Sequence, residues 1–302
     1  MTVFLDLILV SQFTMRYYLE NPREKPKAFL VFRLVKLIGV FMELSQEQLE
    51  RYSRHITIKE FGIEGQKKLL NSKVLVIGAG GLGSPCLMYL AAAGIGTIGI
   101  ADDDVVDKSN LQRQVIHETA DVGRLKTQSA KNKINALNPD VKVIVHNTFI
   151  SADNILEIIK DYDFIIDCTD SFEAKFLIND ACVIAHKPFC HGAVIHFRGQ
   201  VMTYVPGKGP CYRCIFEKIP TKESLPSNKE IGVFGPLPGV IGNIQALECV
   251  KYLLNLGKLL TGRMLTIEAL DMNVKVMKLP PCNQSCAVCS KSATIKDPHQ
   301  SF

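Results

Sequence analysis

The sequence predicts an α/β protein with a mainly parallel sheet continued by antiparallel strands, and three observations carry that expectation. A short β-branched run, Lys73–Ile77, passes directly into a glycine-rich turn and then a helix-like stretch at 84–93. Further strand-like runs follow at Thr97–Ala101, 163–167 and Phe189–Ile195. The 302 residues are 47% hydrophobic and 22% charged, which excludes wholesale disorder and provides for a large core.

Residues 1–41 differ from the rest. Six cations (Arg16, Arg23, Lys25, Lys27, Arg33, Lys36) face three acids (Asp6, Glu20, Glu24), which is most of the net +5. The run at 3–10 is broken by Asp6 and has no cleavage-site signature, so a signal peptide is not expected. Two readings stand: translated upstream sequence before a start at Met42, or an appendage whose apolar part packs on the domain or lies on a membrane surface. After Met42, Ser45 and Gln48 have the spacing of a helix-opening capping box, and the main domain is expected over 42–302.

The turn reads Gly78-Ala-Gly80-Gly81-Leu-Gly83. Glycines there permit a tight Rossmann-like turn and bring backbone N–H groups close to phosphate at a helix N-terminus, where the helix dipole favours negative charge. Asp102 closes the second strand at about the 20-residue distance expected of a carboxylate that binds a ribose hydroxyl. A nicotinamide enzyme would use the same unit. The decision rests on Arg113 and Lys126, which precede and open an amphipathic helix running to Asn138, and on Asp170, just beyond the strand at 163–167. Two cations and an acid at neighbouring strand ends suit a triphosphate with Mg2+ better than a dinucleotide.

Downstream, antiparallel strands are expected near 199–205 and 264–279, a helix near 242–256, and a Pro- and Lys-containing crossing loop at 217–237. Ten cysteines, none before Cys86, fit a reducing and hence cytoplasmic compartment. Cys211/Cys214 and Cys286/Cys289 each have Cys-x-x-Cys spacing, and four thiolates make a closed tetrahedral zinc site. Residues 215–285 lie between the pairs, so the fold must bring them together; Cys282 is the alternative for one ligand. Cys86, Cys168, Cys182, Cys190 and Cys249 lie in apolar segments and read as core residues. His191 and His196 are assigned no role. Overall charge is too small for a dedicated nucleic-acid binder, and no run is long enough to span a bilayer.

From Leu44 to Cys289 the chain resembles the MoeB/ThiF/HesA family, relatives of ubiquitin-activating enzymes. The resemblance is carried by Arg51-Tyr-Ser-Arg54, Gly62-Ile-Glu-Gly65-Gln66, the glycine turn through Ser84, Ser109-Asn-Leu-Gln-Arg-Gln114, Cys168-Thr-Asp170 and Gly239-Val-Ile-Gly242. It implies ATP-dependent adenylation of the C-terminal glycine of a small ubiquitin-fold sulfur carrier ending in Gly-Gly, in a molybdopterin- or thiamine-type pathway. It further implies Gly81 against the nucleotide, Asp102 on the ribose, and Asn110, Arg113 and Lys126 around the phosphates. Asp170 would hold magnesium, and Arg54 would reach across a homodimer. The four paired cysteines would form a structural zinc knuckle. The family often carries a cysteine in the crossing loop, where this chain has Asn228, so the expected product is an adenylate without a covalent enzyme intermediate. No rhodanese-like stretch follows Cys289, so the fused sulfurtransferase form is not expected. A nicotinamide-dependent oxidoreductase, a non-catalytic zinc-stabilised scaffold, and a tRNA-modifying relative are the competing readings.

Overall fold

The computed structural model describes residues 44–220 and 232–302. The chain divides into two units, 1–49 and 50–302. The supposed extension 1–41 lies outside the described residues, as does Asn228. The capping box is formed: the Ser45 amide donates to Gln48 Oε1 and the Gln48 amide to Ser45 Oγ, both at 3.1 Å, opening helix α1 (Gln46–Arg51).

The second unit begins with helices α2 (Ser53–Ile56) and α3 (Gly62–Leu70). It continues through β1 (Lys73–Ile77), α4 (Gly83–Ala93), β2 (Thr97–Ala101), α5 (Lys126–Leu137), β3 (Lys142–His146), α6 (Ile155–Ile159), β4 (Phe164–Asp167) and α7 (Phe172–Ile184). It ends with β5 (Phe189–Ile195), β6 (Arg198–Tyr204), α8 (Tyr212–Ile215), α9 (Pro236–Leu254), β7 (Arg263–Glu268) and β8 (Asn273–Lys278). These strands form one eight-stranded sheet ordered β3-β2-β1-β4-β5-β6-β7-β8. The five from β3 to β5 are parallel, and β5 to β8 pair antiparallel.

Alternation along the strands divides the core in two. Val74 and Val76 of β1 join Leu87, Leu90 and Ile241 on one face, whereas Leu75 and Ile77 join Phe176, Phe189 and Tyr212 on the other. Outside the two Cys-x-x-Cys pairs, the buried cysteines follow the same division: Cys86, Cys168, Cys190 and Cys249 in the first core, Cys182 in the second. Burial raises the thiol pKa of all five, which makes them poor nucleophiles.

Helix α9 starts at Pro236, six positions before the expected 242. Proline stands at its N-terminal position, where the missing N–H is no loss, and Gly239 and Gly242 obscure the apolar period without interrupting the helix. Gly242 is needed for contact. A Cβ there would lie 2.2 Å from the Leu82 carbonyl oxygen and 2.8 Å from Pro85 Cγ, so α9 and the start of α4 pack backbone against backbone. No helix among the described residues is long and apolar enough to cross a membrane.

Candidate nucleotide site and cysteine cluster

Strand β1 lies between β2 and β4, so the glycine turn, Asp102 and the 168–170 segment emerge side by side at the carboxyl ends of three adjacent parallel strands. That crevice is where open α/β sheets bind ligands. Gly78 has φ +95°, and a Cβ on Gly83 would fall 1.9 Å from the Gly78 carbonyl oxygen, so the turn closes only with glycine at both places. Gly80 faces the Gln114 amide, and Gly81 packs near Pro238 of α9 and the Arg113 side chain. The N-terminal end of α9 therefore closes one side of the turn.

Asp102 serves the turn as well as the crevice. Its Oδ2 accepts the Ala79 N–H at 2.7 Å and its Oδ1 the Asp104 N–H at 2.9 Å. Burial raises its carboxyl above the ordinary value, opposed by those amides and by Lys126 nearby. Lys126 is buried and donates to Asp104 Oδ2 at 2.7 Å. Asn110 closes the capping box of the 108–110 turn by accepting from the Asp107 amide at 3.2 Å, and Arg113 Nη1 donates to the Ser109 carbonyl at 3.2 Å. Asp170 is exposed immediately before Ser171, whose hydroxyl accepts from the Ala174 amide and caps α7. Arg54 is exposed on α2, while its motif neighbour Tyr52 is buried and accepts from Asn138 Nδ2 at 2.9 Å. Among the described residues, two buried polar atoms near the turn, Gln114 Oε1 and Ser84 Oγ, have no hydrogen-bond partner.

Behind the 168–170 segment lies a charged network that the sequence reading did not anticipate. Asp167 is 1% exposed and Lys175 5%. Lys175 Nζ sits 3.3 Å from Asp167 Oδ2 and donates to the Thr169 carbonyl at 2.7 Å and the Gly192 carbonyl at 2.9 Å. His191 Nδ1 donates to Asp167 Oδ2 at 2.9 Å, and Gln245 Nε2 to the Asp167 carbonyl at 2.7 Å. Burial alone would raise the Asp167 carboxyl, but Lys175, His191 and Thr169 together hold it well below the carboxylate range. The one available signal was Lys175 itself, the sole cation of its helix.

The four paired cysteines converge. Their Sγ atoms all lie within 4.8 Å of one another, with Cys211–Cys214 at 3.8 Å, Cys211–Cys286 at 3.6 Å and Cys214–Cys289 at 3.3 Å. Tetrahedral zinc with bonds of about 2.3 Å requires sulfur–sulfur edges of about 3.8 Å, so the cluster could hold zinc. Cys282 lies outside the group of four. The Asn283 amide donates to Cys214 Sγ at 3.4 Å. A buried ion pair anchors the first cysteine turn: Arg213 makes a two-pronged contact with Asp180 of α7 (2.7, 3.0 and 2.7 Å) and donates to the Ser301 carbonyl at 2.7 Å.

A glycine turn at a parallel-sheet crevice, followed by an antiparallel extension and a four-thiol cluster, defines a nucleotide-binding α/β protein with a metal-type knuckle. The chain belongs to the ThiF family, whose model matches residues 52–288. It is 45% identical over 250 residues to the SAMP-activating enzyme E1 of Haloferax volcanii, covering 83% of this chain and 92% of that protein. It is 41% identical over 261 residues to the sulfur carrier protein adenylyltransferase of Thermus thermophilus, covering 85% and 96%. Identity to the probable adenylyltransferase/sulfurtransferase MoeZ of Mycobacterium tuberculosis is 45% over 250 residues, but the match spans only 64% of that longer protein. Among solved structures, E. coli MccB with MccA-N7isoASN superposes with a TM-score of 0.71 at 25% identity, covering 86% of this chain and 80% of MccB.

Proposed function

We propose that this protein is an adenylyltransferase that activates the C-terminal glycine of a small ubiquitin-fold sulfur carrier ending in Gly-Gly. The carrier carboxylate oxygen bonds to the α-phosphorus of ATP while the bond to the β-phosphate oxygen breaks, giving an acyl-adenylate and pyrophosphate. The observation that carries this reading is the placement of the glycine turn, Asp102 and Asp170 at three adjacent strand ends, in a chain whose relatives are named for this activity. The unpartnered Gln114 Oε1 and Ser84 Oγ beside the turn support a polar ligand there.

A C-terminal carboxylate has an ordinary pKa of about 3.5 and is already an anion at neutral pH, so no general base is required. The residues supply alignment and charge neutralisation. Gly78, Gly80, Gly81 and Gly83 let backbone amides approach the phosphates, Asp102 takes the ribose, and Asn110, Arg113 and Lys126 surround the phosphate chain. Lys126 enters this role from its contact with Asp104. Mg2+ carried by ATP would neutralise phosphate charge, with Asp170 the residue to hold it. Arg54, exposed on α2, fits a residue that completes the site of a second copy in a homodimer. Zn2+ in the cluster of Cys211, Cys214, Cys286 and Cys289 is structural, with no open position for chemistry. The cysteine usage fits a cytoplasmic protein, and the adenylation domain is assigned to 42–302 with 1–41 as an extension.

The test is ATP–pyrophosphate exchange with purified candidate carriers of the molybdopterin and thiamine types. Wild-type protein exchanges with at least one of them, and Asp170→Ala and Arg113→Ala each lower the rate by about 10^2-fold or more while the fold is retained. Exchange at the wild-type rate in either variant, or a tightly bound nicotinamide cofactor, would defeat the assignment.

A further inference from the structure

Thr169, the residue before Asp170, has every polar group tied to one buried pair. Its N–H and hydroxyl donate to Asp167 Oδ1 at 3.0 and 2.6 Å, and its carbonyl accepts from Lys175 at 2.7 Å. On the other side of Asp170, Ser171 caps α7 and is fixed by the helix it begins. Asp170 is thus the exposed residue between two anchored neighbours. Lys175 makes the anchor rigid, because its three N–H groups go to three acceptors on three elements: the Asp167 side chain of β4, the Thr169 carbonyl of the turn, and the Gly192 carbonyl of β5.

A buried cation is a poor way to obtain stability alone, since apolar residues of like volume commonly do as well. It is a good way to specify one arrangement of a turn. We infer that Lys175 is the positioning residue for Asp170: through the Thr169 carbonyl it fixes where that carboxylate meets the metal–triphosphate. This rests on the proposed function, in which Asp170 holds Mg2+. Lys175 itself touches neither nucleotide nor carrier.

The experiment compares wild type, Lys175→Met, Lys175→Arg and Asp170→Ala by carrier-dependent exchange across a Mg2+ series, and by hydrogen exchange of the ligand-free proteins. In Lys175→Met the Mg2+ concentration giving half the maximal rate rises about 10-fold or more and kcat falls, while KM for the carrier stays put. The amides of 168–171 lose protection and those of β1 and β2 do not. Lys175→Arg, which keeps the cation, recovers most of the Mg2+ response. If Lys175→Met does not fold, Lys175→Gln takes its place in the same comparison: a raised Mg2+ requirement in it supports the inference and a wild-type Mg2+ response overturns it. Wild-type Mg2+ dependence in a folded Lys175→Met also overturns it, as does protection lost evenly across the sheet with the Mg2+ requirement unchanged. Should Asp170→Ala be inactive while Lys175→Met behaves as wild type, only this inference fails. Should Asp170→Ala be active, the role given to Asp170 fails and the inference with it.

Discussion

Asp167 and His191 meet at 2.9 Å with both side chains 1% exposed, and that isolation sets the acid behaviour of the molecule. Burial depresses the pKa of His191, helped by Lys175 and opposed by Asp167, and burial likewise depresses that of His117, which bonds the Ala79 carbonyl at 3.0 Å. With folded values below the ordinary 6.5, the unfolded chain takes up protons that the folded chain refuses. Stability is therefore full above about pH 6.5 and falls as pH drops below it, by up to about 1.4 kcal/mol per pH unit for each histidine. Asp167, also depressed, adds a loss in the same direction only below about pH 4, its ordinary carboxylate range. Urea midpoints at pH 7.5 and 5.5 check this: the acid value is lower, and His191→Gln narrows the difference. The glycine turn, Asp102 and the cysteine pairs were legible in the sequence because each sits at a fixed spacing. Lys175, His191 and Gln245 were not, because their shared partner Asp167 is reached from three separate elements and no local spacing records the meeting.

The parallel strands named from the sequence fall within a residue of their observed bounds, since a fully buried strand reads as a continuous β-branched run. Strand β3 was not named. It is the edge strand of the parallel half, charged at its first residue and half-buried along the rest, so its apolar signal is weak. The expected stretch at 264–279 resolves into the hairpin of β7 and β8. For α9 the close approach at Gly242 predicts that Gly242→Val displaces the helix from α4. The variant should lose about 1–3 kcal/mol or more in chemical denaturation, whereas the same change at Gly239, which has open space around its Cβ position, should cost less. Similar losses at both positions would show that helix propensity, not contact, sets the cost.

Across the whole molecule, the cluster of four thiols joins segments that the sheet leaves apart. Protein purified without chelator should contain one zinc per chain, and Cys214→Ser should lower the melting temperature while turnover per folded molecule stays near wild type. Metal analysis and thermal melts read both. The sequence has Asn228 where the family resemblance would put a nucleophilic cysteine, and burial raises the core thiols of Cys86, Cys168, Cys182, Cys190 and Cys249. Intact-mass measurement after incubation with carrier and MgATP, without reductant, should show unmodified enzyme and adenylated carrier. A mass increase of one carrier that thiol removes would mark a covalent step.

The cysteine cluster also bears on how the chain is made. Cys211 and Cys214 leave the ribosome long before Cys286 and Cys289, and the Asp180 partner of Arg213 leaves earlier still, so a nascent chain can form the ion pair and the first half of the cluster but not the whole. By the time residue 289 has emerged, every strand of the sheet is already outside. A metal held by the four thiols would therefore be a late latch on a molecule whose strands have all emerged before it, unlike the small zinc modules in which binding and folding are one event.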